Sequence, residues 1–383
     1  LVQAGQRRHQ HRPATIEAAA IADLPYVLDP ERVMADEAVA QRLEPGAGLD
    51  IHYSDHHYSE AGAEIVATPE EVYQSDVILK MLPPLPAEAA LMKSRSLLLS
   101  MVQFNLFAPE TYMLMMNKRI TALGYEFMED EVGQFPVLNA ISEIEGATAV
   151  TIASDLLSNT QGGKGILLGG VPGVSPTEVV IIGAGCAGTV AARAALSLGA
   201  SVKVFDDDVS KLRNIQQVLG QGLFTSTYHP NVLHNAFRTA DVVIGAIRSI
   251  RARHHYIMSD ELIRSMKRGS LLIDLRVSQG GCFETTSGLT LNDATVFEKY
   301  GVLHYCVPNV SNRVARTTSM AISNLIVPLM QSLGNAGSVQ ATIKSYPVFR
   351  NAVYMYCGKP VKNCVSNRFN LPSNELDLYL SAF

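Results

Sequence analysis

The sequence predicts an α/β protein of two domains, each a parallel β-sheet wound with helices, with long helices linking them. Three observations predict it. The chain has 383 residues, room for two or three domains. From residue 50 onward, short β-branched runs alternate with helical stretches, the pattern of parallel strands joined by crossover helices. Residues 179–188, VVIIGAGCAG, read as a strand turning tightly into a helix, with Gly183, Gly185 and Gly188 at the G-x-G-x-x-G spacing.

In that spacing Gly183 permits the turn, Gly185 lets the backbone approach a pyrophosphate, and Gly188 lets the helix pack close to the strand. The helix N-terminus offers N–H groups and a partial positive charge to phosphates. Residues 189–198 are Ala-rich and helical in character, Gly199 ends them, and residues 201–205 form a second strand that stops at Asp206. A carboxylate about 20 residues past the glycines is placed to hold a ribose 2′-hydroxyl. Three glycines alone are a weak signal, but strand, glycines, helix, strand and acid in one unit point to a Rossmann-like dinucleotide site. The bland alternative is a doubly wound sheet that kept the turn and lost the ligand.

Residues 1–45 carry little pattern, and the basic stretch 6–12 reads as a solvated terminus. Residues 61–66 and 76–82 read as strands around a helix over 69–74. Then come a strand over 97–104, a helix over 109–118 and a strand over 120–127. Residues 141–157 form an unbroken helical stretch that leads into glycine-rich turns at 162–165 and 169–173, a hinge in this reading. Past the fingerprint, 241–247 reads as a buried strand, and 259–268 as a helix capped by Ser259 with Glu261 in its first turn. Residues 270–277 read as a strand ending at Gln279, Gly280 and Gly281, and 302–307 as the last strand, closed by Pro308. A long apolar helix over 317–333 returns to the first domain. The domains so drawn are a substrate domain, 1–136 completed by 315–383, and a dinucleotide domain, 137–314.

A net charge of −5 argues against a general role on nucleic acid or a membrane surface. No apolar run approaches the roughly 18 residues of a spanning helix, and no signal-peptide pattern is read. Five scattered cysteines without a C-x-x-C pair read as reduced thiols of a cytoplasmic protein, and no metal is expected.

Ligands of open α/β sheets bind outside the carboxyl ends of the strands. Asp206, residues 246–248, residues 278–281, Pro308 and Asn309 are therefore the candidates. Asn309 could bond a nicotinamide or substrate edge, or be a turn residue. Lys211 could reach a ribose or phosphate, or be solvated. Lys80 is a charge inside the apolar run 77–82, either on an exposed edge or placed to hold an anionic substrate. His52, Asp55, His56 and His57 have metal-ligand spacing but read better as a solvated loop, since catalytic metal sites draw ligands from several elements.

Together, residues 140–146, 162–174, the fingerprint through 213, 241–246, 279–285 (QGGCFET) and 303–309 (LHYCVPN) resemble alanine dehydrogenase and its relative, the nicotinamide-binding subunit of proton-pumping transhydrogenase. The last two stretches look more like alanine dehydrogenase. The resemblance spans roughly 50–335 and implies two α/β domains with a cleft, a hexamer, and NAD-dependent oxidative deamination of L-alanine to pyruvate and ammonia. It implies that Ser142, Gly183, Gly185, Ala187, Gly188, Asp206, Lys211 and Asn309 contact NAD.

The departures fall on the reacting side. The family pattern has a substrate Lys in a Lys-x-Lys-Glu-Pro strand end; Lys80 matches the first lysine and Leu82 the second. The general acid/base His is replaced by Gln103 or Phe104, and the Asp before Gln-Gly-Gly by Ser278. The substrate-carboxylate Arg is matched only by Arg32. The leading expectation is an alanine-dehydrogenase-like oxidoreductase acting on a small amino or keto acid. The alternatives are a non-catalytic NAD-binding or assembly protein on the same scaffold, or a transhydrogenase-like NAD-binding subunit.

Overall fold

The computed structural model describes residues 16–21, 39–103, 107–220, 222–247, 258–287, 289 and 295–381, with side chains from residue 42 onward. In chain order the strands are β1 (Ile16–Ile21), β2 (Val39–Leu43), β3 (Glu64–Ile65), β4 (Val77–Lys80), β5 (Leu97–Ser100), β6 (Thr121–Gly124), β7 (Glu178–Ile182), β8 (Ser201–Phe205), β9 (Phe224–Ser226), β10 (Val242–Gly245), β11 (Leu271–Asp274), β12 (Val296–Lys299), β13 (Val302–Tyr305), β14 (Val353–Tyr356) and β15 (Lys359–Pro360).

They form two sheets in two compact units. One unit holds the described residues up to Val102, those from 107 to Val137 and those from Ser319 onward; the other holds Gln103 and Leu138–Thr318. The first sheet runs β15-β14-β6-β5-β4-β1-β2-β3. Strands β1 to β6 pair in parallel, and β14 and β15 add an antiparallel edge. Every position of β4, β5 and β6 is buried, as a parallel strand covered on both faces requires. The connecting helices Pro69–Tyr73, Pro86–Leu91 and Pro109–Asn117 open on proline, whose missing N–H would be unpaired there in any case.

The second sheet runs β12-β13-β11-β10-β7-β8-β9, parallel except for β12. The chain leaves β7 for β8 on one side and returns to β10 on the other, so strand order reverses at β7. That reversal is the topological switch point at which such sheets bind ligands. Side chains of β7 alternate between two cores. Val179 and Ile181 join Ala187, Ala191 and Ala195 of the helix Cys186–Ser197, while Val180 and Ile182 join Leu233, Phe237 and Phe283. Each such aliphatic side chain contributes about 1.5–3 kcal/mol by burial.

Several elements differ from the sequence reading. The strand expected over 61–66 is the two-residue β3, which starts only at Glu64, after Gly62 with its φ of 92°. That expected over 97–104 stops at Ser100, and that over 120–127 passes into a 3-10 turn at Tyr125–Phe127. The helix placed at 141–157 begins at Pro136. Ser259 stands before the helix Asp260–Arg264 without a side-chain cap; Glu284, from a distant loop, accepts the Asp260 N–H at 2.7 Å instead. The strand at 302–307 is not the last, since β14 and β15 follow it. Short antiparallel edge strands carry no long apolar run and give little signal before pairing. The stretch 52–57, expected as a loop, contains the start of the helix Asp55–Glu60.

Candidate functional site

All parallel strands of the second sheet end at one edge, which gathers Gly183, Asp206, Ala246, the turn after β11, Pro308 and Asn309. The three fingerprint glycines are required for different reasons. Gly183 has a φ of 110°, and a Cβ there would stand 2.8 Å from the backbone of Ala246. A Cβ on Gly188 would stand 1.9 Å from the Gly183 carbonyl oxygen, so helix and strand meet backbone to backbone. A Cβ on Gly185 would meet nothing within 4 Å. Gly185 is the N-cap of the helix Cys186–Ser197 and has no side chain to cap it. Open space before an uncapped helix N-terminus fits a diphosphate, which side chains at Gly185 would obstruct.

Asp206 is buried at the end of β8 and belongs to the same cradle. Its Oδ2 accepts the Ala184 N–H at 2.7 Å and its Oδ1 the Asp208 N–H at 2.9 Å, while Lys211 Nζ lies 3.7 Å from Oδ1. Burial pushes its pKa up, against the two N–H donors and the Lys211 charge. A carboxylate has about four acceptor positions, so these contacts leave capacity for ribose hydroxyls. Lys211, on the helix Val209–Leu219, is half exposed and attached to this carboxylate. The residues present therefore fit a dinucleotide.

Ser142 is buried on the helix Pro136–Leu156, and Ala187 is buried in the first turn of the fingerprint helix. Those helices touch where a Cβ on Gly146 would come within 2.2 Å of the Ala187 carbonyl oxygen. Asn309 follows β13 with a φ of 53° and opens the 3-10 turn Val310–Val314. Ser278 is half-buried in the 3-10 turn Val277–Gln279, which ends at Gly280 and Gly281 with φ of 106° and 80°. Gln103, just past β5, is half-buried with a φ of 31°, a region that non-glycine residues seldom enter. Arg32 and Phe104 lie outside the described residues.

Lys80 corrects the edge reading. Strand β4 lies between β1 and β5, and the Lys80 side chain is 1% exposed. Its Nζ donates to Glu88 Oε1 at 2.9 Å, and Glu88 Oε2 accepts the Leu85 N–H at 2.6 Å. Burial lowers the Lys80 pKa, opposed by the Glu88 charge. This lysine already has an anion. Near the His cluster, Asp55 accepts the Gly46 N–H at 2.7 Å, His57 Nδ1 lies 2.8 Å from Ser54 Oγ, and His56 pairs with Glu60 at 3.1 Å. Among the described residues no group of three or more His, Cys, Asp or Glu is arranged to hold a metal ion.

Three charged residues escaped the sequence reading. Asp274, fully buried, accepts the N–H groups of Arg276 (2.8 Å) and Cys282 (2.7 Å) and the Thr286 hydroxyl, so it straps the turn carrying Ser278. Burial raises its pKa. Arg276 Nη1 pairs with Glu145 Oε2 at 3.1 Å, both side chains over nine-tenths buried. The available signal was a charge of each sign inside otherwise apolar elements, but pairing across more than a hundred residues has no local trace.

Comparison with known proteins identifies the family and the fold. The family description "Alanine dehydrogenase/PNT, N-terminal domain" matches residues 32–145, and "Alanine dehydrogenase/PNT, C-terminal domain" matches residues 149–363. An alanine dehydrogenase of Methanococcus maripaludis is 34% identical over 333 residues, covering 86% of this chain and 88% of the relative. A solved L-alanine dehydrogenase superposes with a TM-score of 0.83 at 30% identity, over 93% of this chain and 99% of that one. A transhydrogenase from Sinorhizobium meliloti shares the fold, with a TM-score of 0.73 at 22% identity over 90% of this chain and 99% of that one. The chain belongs to the alanine dehydrogenase/PNT family.

Proposed function

We propose that this chain is an NAD-dependent oxidoreductase that oxidatively deaminates a small L-amino acid, alanine first among them, to the keto acid and ammonia. The observation that carries the proposal is the fingerprint cradle, with Gly185 open in front of a helix N-terminus and Asp206 beside it, in a chain one-third identical to alanine dehydrogenases. In this reading the unit built on β7 to β13 is the dinucleotide domain, bounded at 137–314, and the rest is the substrate domain.

NAD, when bound, supplies the acceptor for the hydride that leaves the substrate Cα. Asp206 and Lys211 hold the ribose next to the fingerprint; Ser142, Ala187 and Asn309 line the remainder. Asp206 favours NAD over NADP, because a 2′-phosphate would set two anions together, at a cost of several kcal/mol. The water that replaces the amine, and the ammonium itself, need a proton acceptor. By the family resemblance Gln103 or Phe104, together with Ser278, takes the positions for that work, and none of these side chains is a base at neutral pH. Loss of a general base costs about 10²–10⁴-fold in rate, so alanine turnover is expected to be slow. Substrate carboxylate binding by Lys80 requires that its ammonium, 1% exposed and already donating to Glu88, become accessible.

That ion pair favours a second reading, a non-catalytic NAD-binding protein on the same scaffold. Absorbance at 340 nm over a panel of small L-amino acids separates the two. Slow NADH formation, raised by Gln103→His or Phe104→His together with Ser278→Asp, supports the enzyme. No NADH with any amino acid, while NAD still binds, leaves the second reading. The five thiols, none in a disulfide, accord with a cytoplasmic location. A closed homo-oligomer, a hexamer by family resemblance, is expected, and a monomeric mass by light scattering would contradict it.

A further inference from the structure

The turn that carries Ser278 is closed upon a single residue. The Arg276 carbonyl oxygen accepts the N–H groups of Gln279 at 2.8 Å and Gly281 at 2.9 Å, and the Arg276 N–H donates to Asp274. These bonds hold the turn's shape but tie it only to its own strand. The Arg276 side chain leaves the turn. Its Nη1 reaches Glu145 on the helix Pro136–Leu156, and its Nε has no hydrogen-bond partner among the described residues. Glu145 stands one helical turn from Ser142, so both occupy one face, and both are buried. The next residue, Gly146, is where this helix meets the backbone of Ala187 in the first turn of the fingerprint helix. One ion pair thus ties the turn after β11 to the helix face that also abuts the diphosphate cradle.

We propose that Arg276 and Glu145 are positioning residues, which set the 277–281 turn and its Ser278 against the bound dinucleotide so that hydride transfer is in register. This rests on the NAD-dependent reading above. Neither residue touches the reacting atoms in this account; they act through the turn and through the helix face of Ser142. Burial is what lets them act so: a desolvated ion pair is held in place, whereas an exposed pair exchanges partners with water. A misplacement of about 1 Å can cost a reaction about 10²-fold.

The test uses the full chain with Glu145→Gln, Arg276→Lys and the apolar double variant Arg276→Met with Glu145→Leu. The apolar pair is expected to keep the thermal midpoint near that of the wild type, because well-packed apolar residues often replace a buried ion pair without loss. Its kcat is expected to fall about 10–10²-fold, with the NAD dissociation constant changed less than about threefold. Arg276→Lys keeps the charge without the fork and is expected to fall between. A double variant that recovers both stability and kcat would overturn the proposal, leaving the pair a structural contact. NADH fluorescence separates this outcome from failure of the enzymatic reading. If the wild type oxidises no amino acid, the emission maximum and lifetime of bound NADH should still shift in Glu145→Gln, as its ring meets a displaced turn. An unchanged spectrum, or no NADH binding by the wild type, would overturn the proposal.

Discussion

At the carboxyl end of β7 the backbone stops short of open space, and Gly185 keeps it open. At the carboxyl end of β4, Lys80 is sealed from solvent with its charge committed to Glu88. Both are ends of central parallel strands, where α/β sheets bind ligands. The difference is whether the polar groups there are already satisfied. Around β7 they fit a dinucleotide without rearrangement. Around β4 an anionic ligand would meet a sealed ammonium whose charge a carboxylate already balances. A shared architecture supplies the position of a site, and local pairing decides what the site can receive.

The largest expected effect breaks the first half of this comparison. Gly188→Ala drives a methyl group into the Gly183 carbonyl and is expected to cost about 4 kcal/mol or more of stability and to abolish NAD binding, both read by thermal melts with and without NAD. Gly185→Ala places the same methyl in open space. It is expected to cost under about 1 kcal/mol while weakening NAD at least tenfold by titration. Equal stability losses in the two variants would mean that the fingerprint is only a packing motif.

Next in size are the two halves of the β4 pair. Glu88→Gln removes the carboxylate charge that the buried Lys80 ammonium faces and is expected to cost about 3–5 kcal/mol in denaturant melts. Lys80→Met leaves Glu88, which is 19% exposed and still bonded to the Leu85 N–H, so its cost should be smaller. If Lys80→Met proves the more harmful to stability, the lysine has further structural duties that outweigh its pairing. Asp206→Ala orphans the Ala184 and Asp208 N–H groups and is expected to cost about 1–3 kcal/mol and to bring NADP affinity up towards that of NAD. An unaltered cofactor preference would remove Asp206 from the ribose site.

The smallest effect is a pH dependence in the second unit. Burial by itself would raise the Asp241 pKa, but the Glu178 N–H at 3.1 Å and Lys267 at 3.0 Å, with Lys164 beyond, hold it below the ordinary value. A carboxyl depressed in the folded state contributes stability that is present above its unfolded pKa, near 3.8, and lost as pH falls through the folded one. The difference in midpoint between wild type and Asp241→Asn should therefore be constant at pH 5–7 and shrink below about pH 4. A constant difference down to pH 2 would show that Asp241 acts by shape rather than charge.

Local pattern alone determined the α/β class, the parallel sheets in two domains, and the strand–turn–helix of Gly183, Gly185 and Gly188 with Asp206 at the end of the next strand. These are legible because glycine spacing, β-branched runs and a terminal acid are all encoded within one short βαβ unit, where chain neighbours are also neighbours in space. Tertiary structure decided the rest. That Lys80 faces a carboxylate depends on Glu88 arriving from the next helix. The contact of Arg276, at the head of the Ser278 turn, with the helix Pro136–Leu156 depends on Glu145, far away in the chain, and the cap of the helix Asp260–Arg264 comes from Glu284 rather than Ser259. Burying a charge is so costly that its partner dictates its role, and partners chosen across the fold leave no periodicity or spacing in the sequence to read.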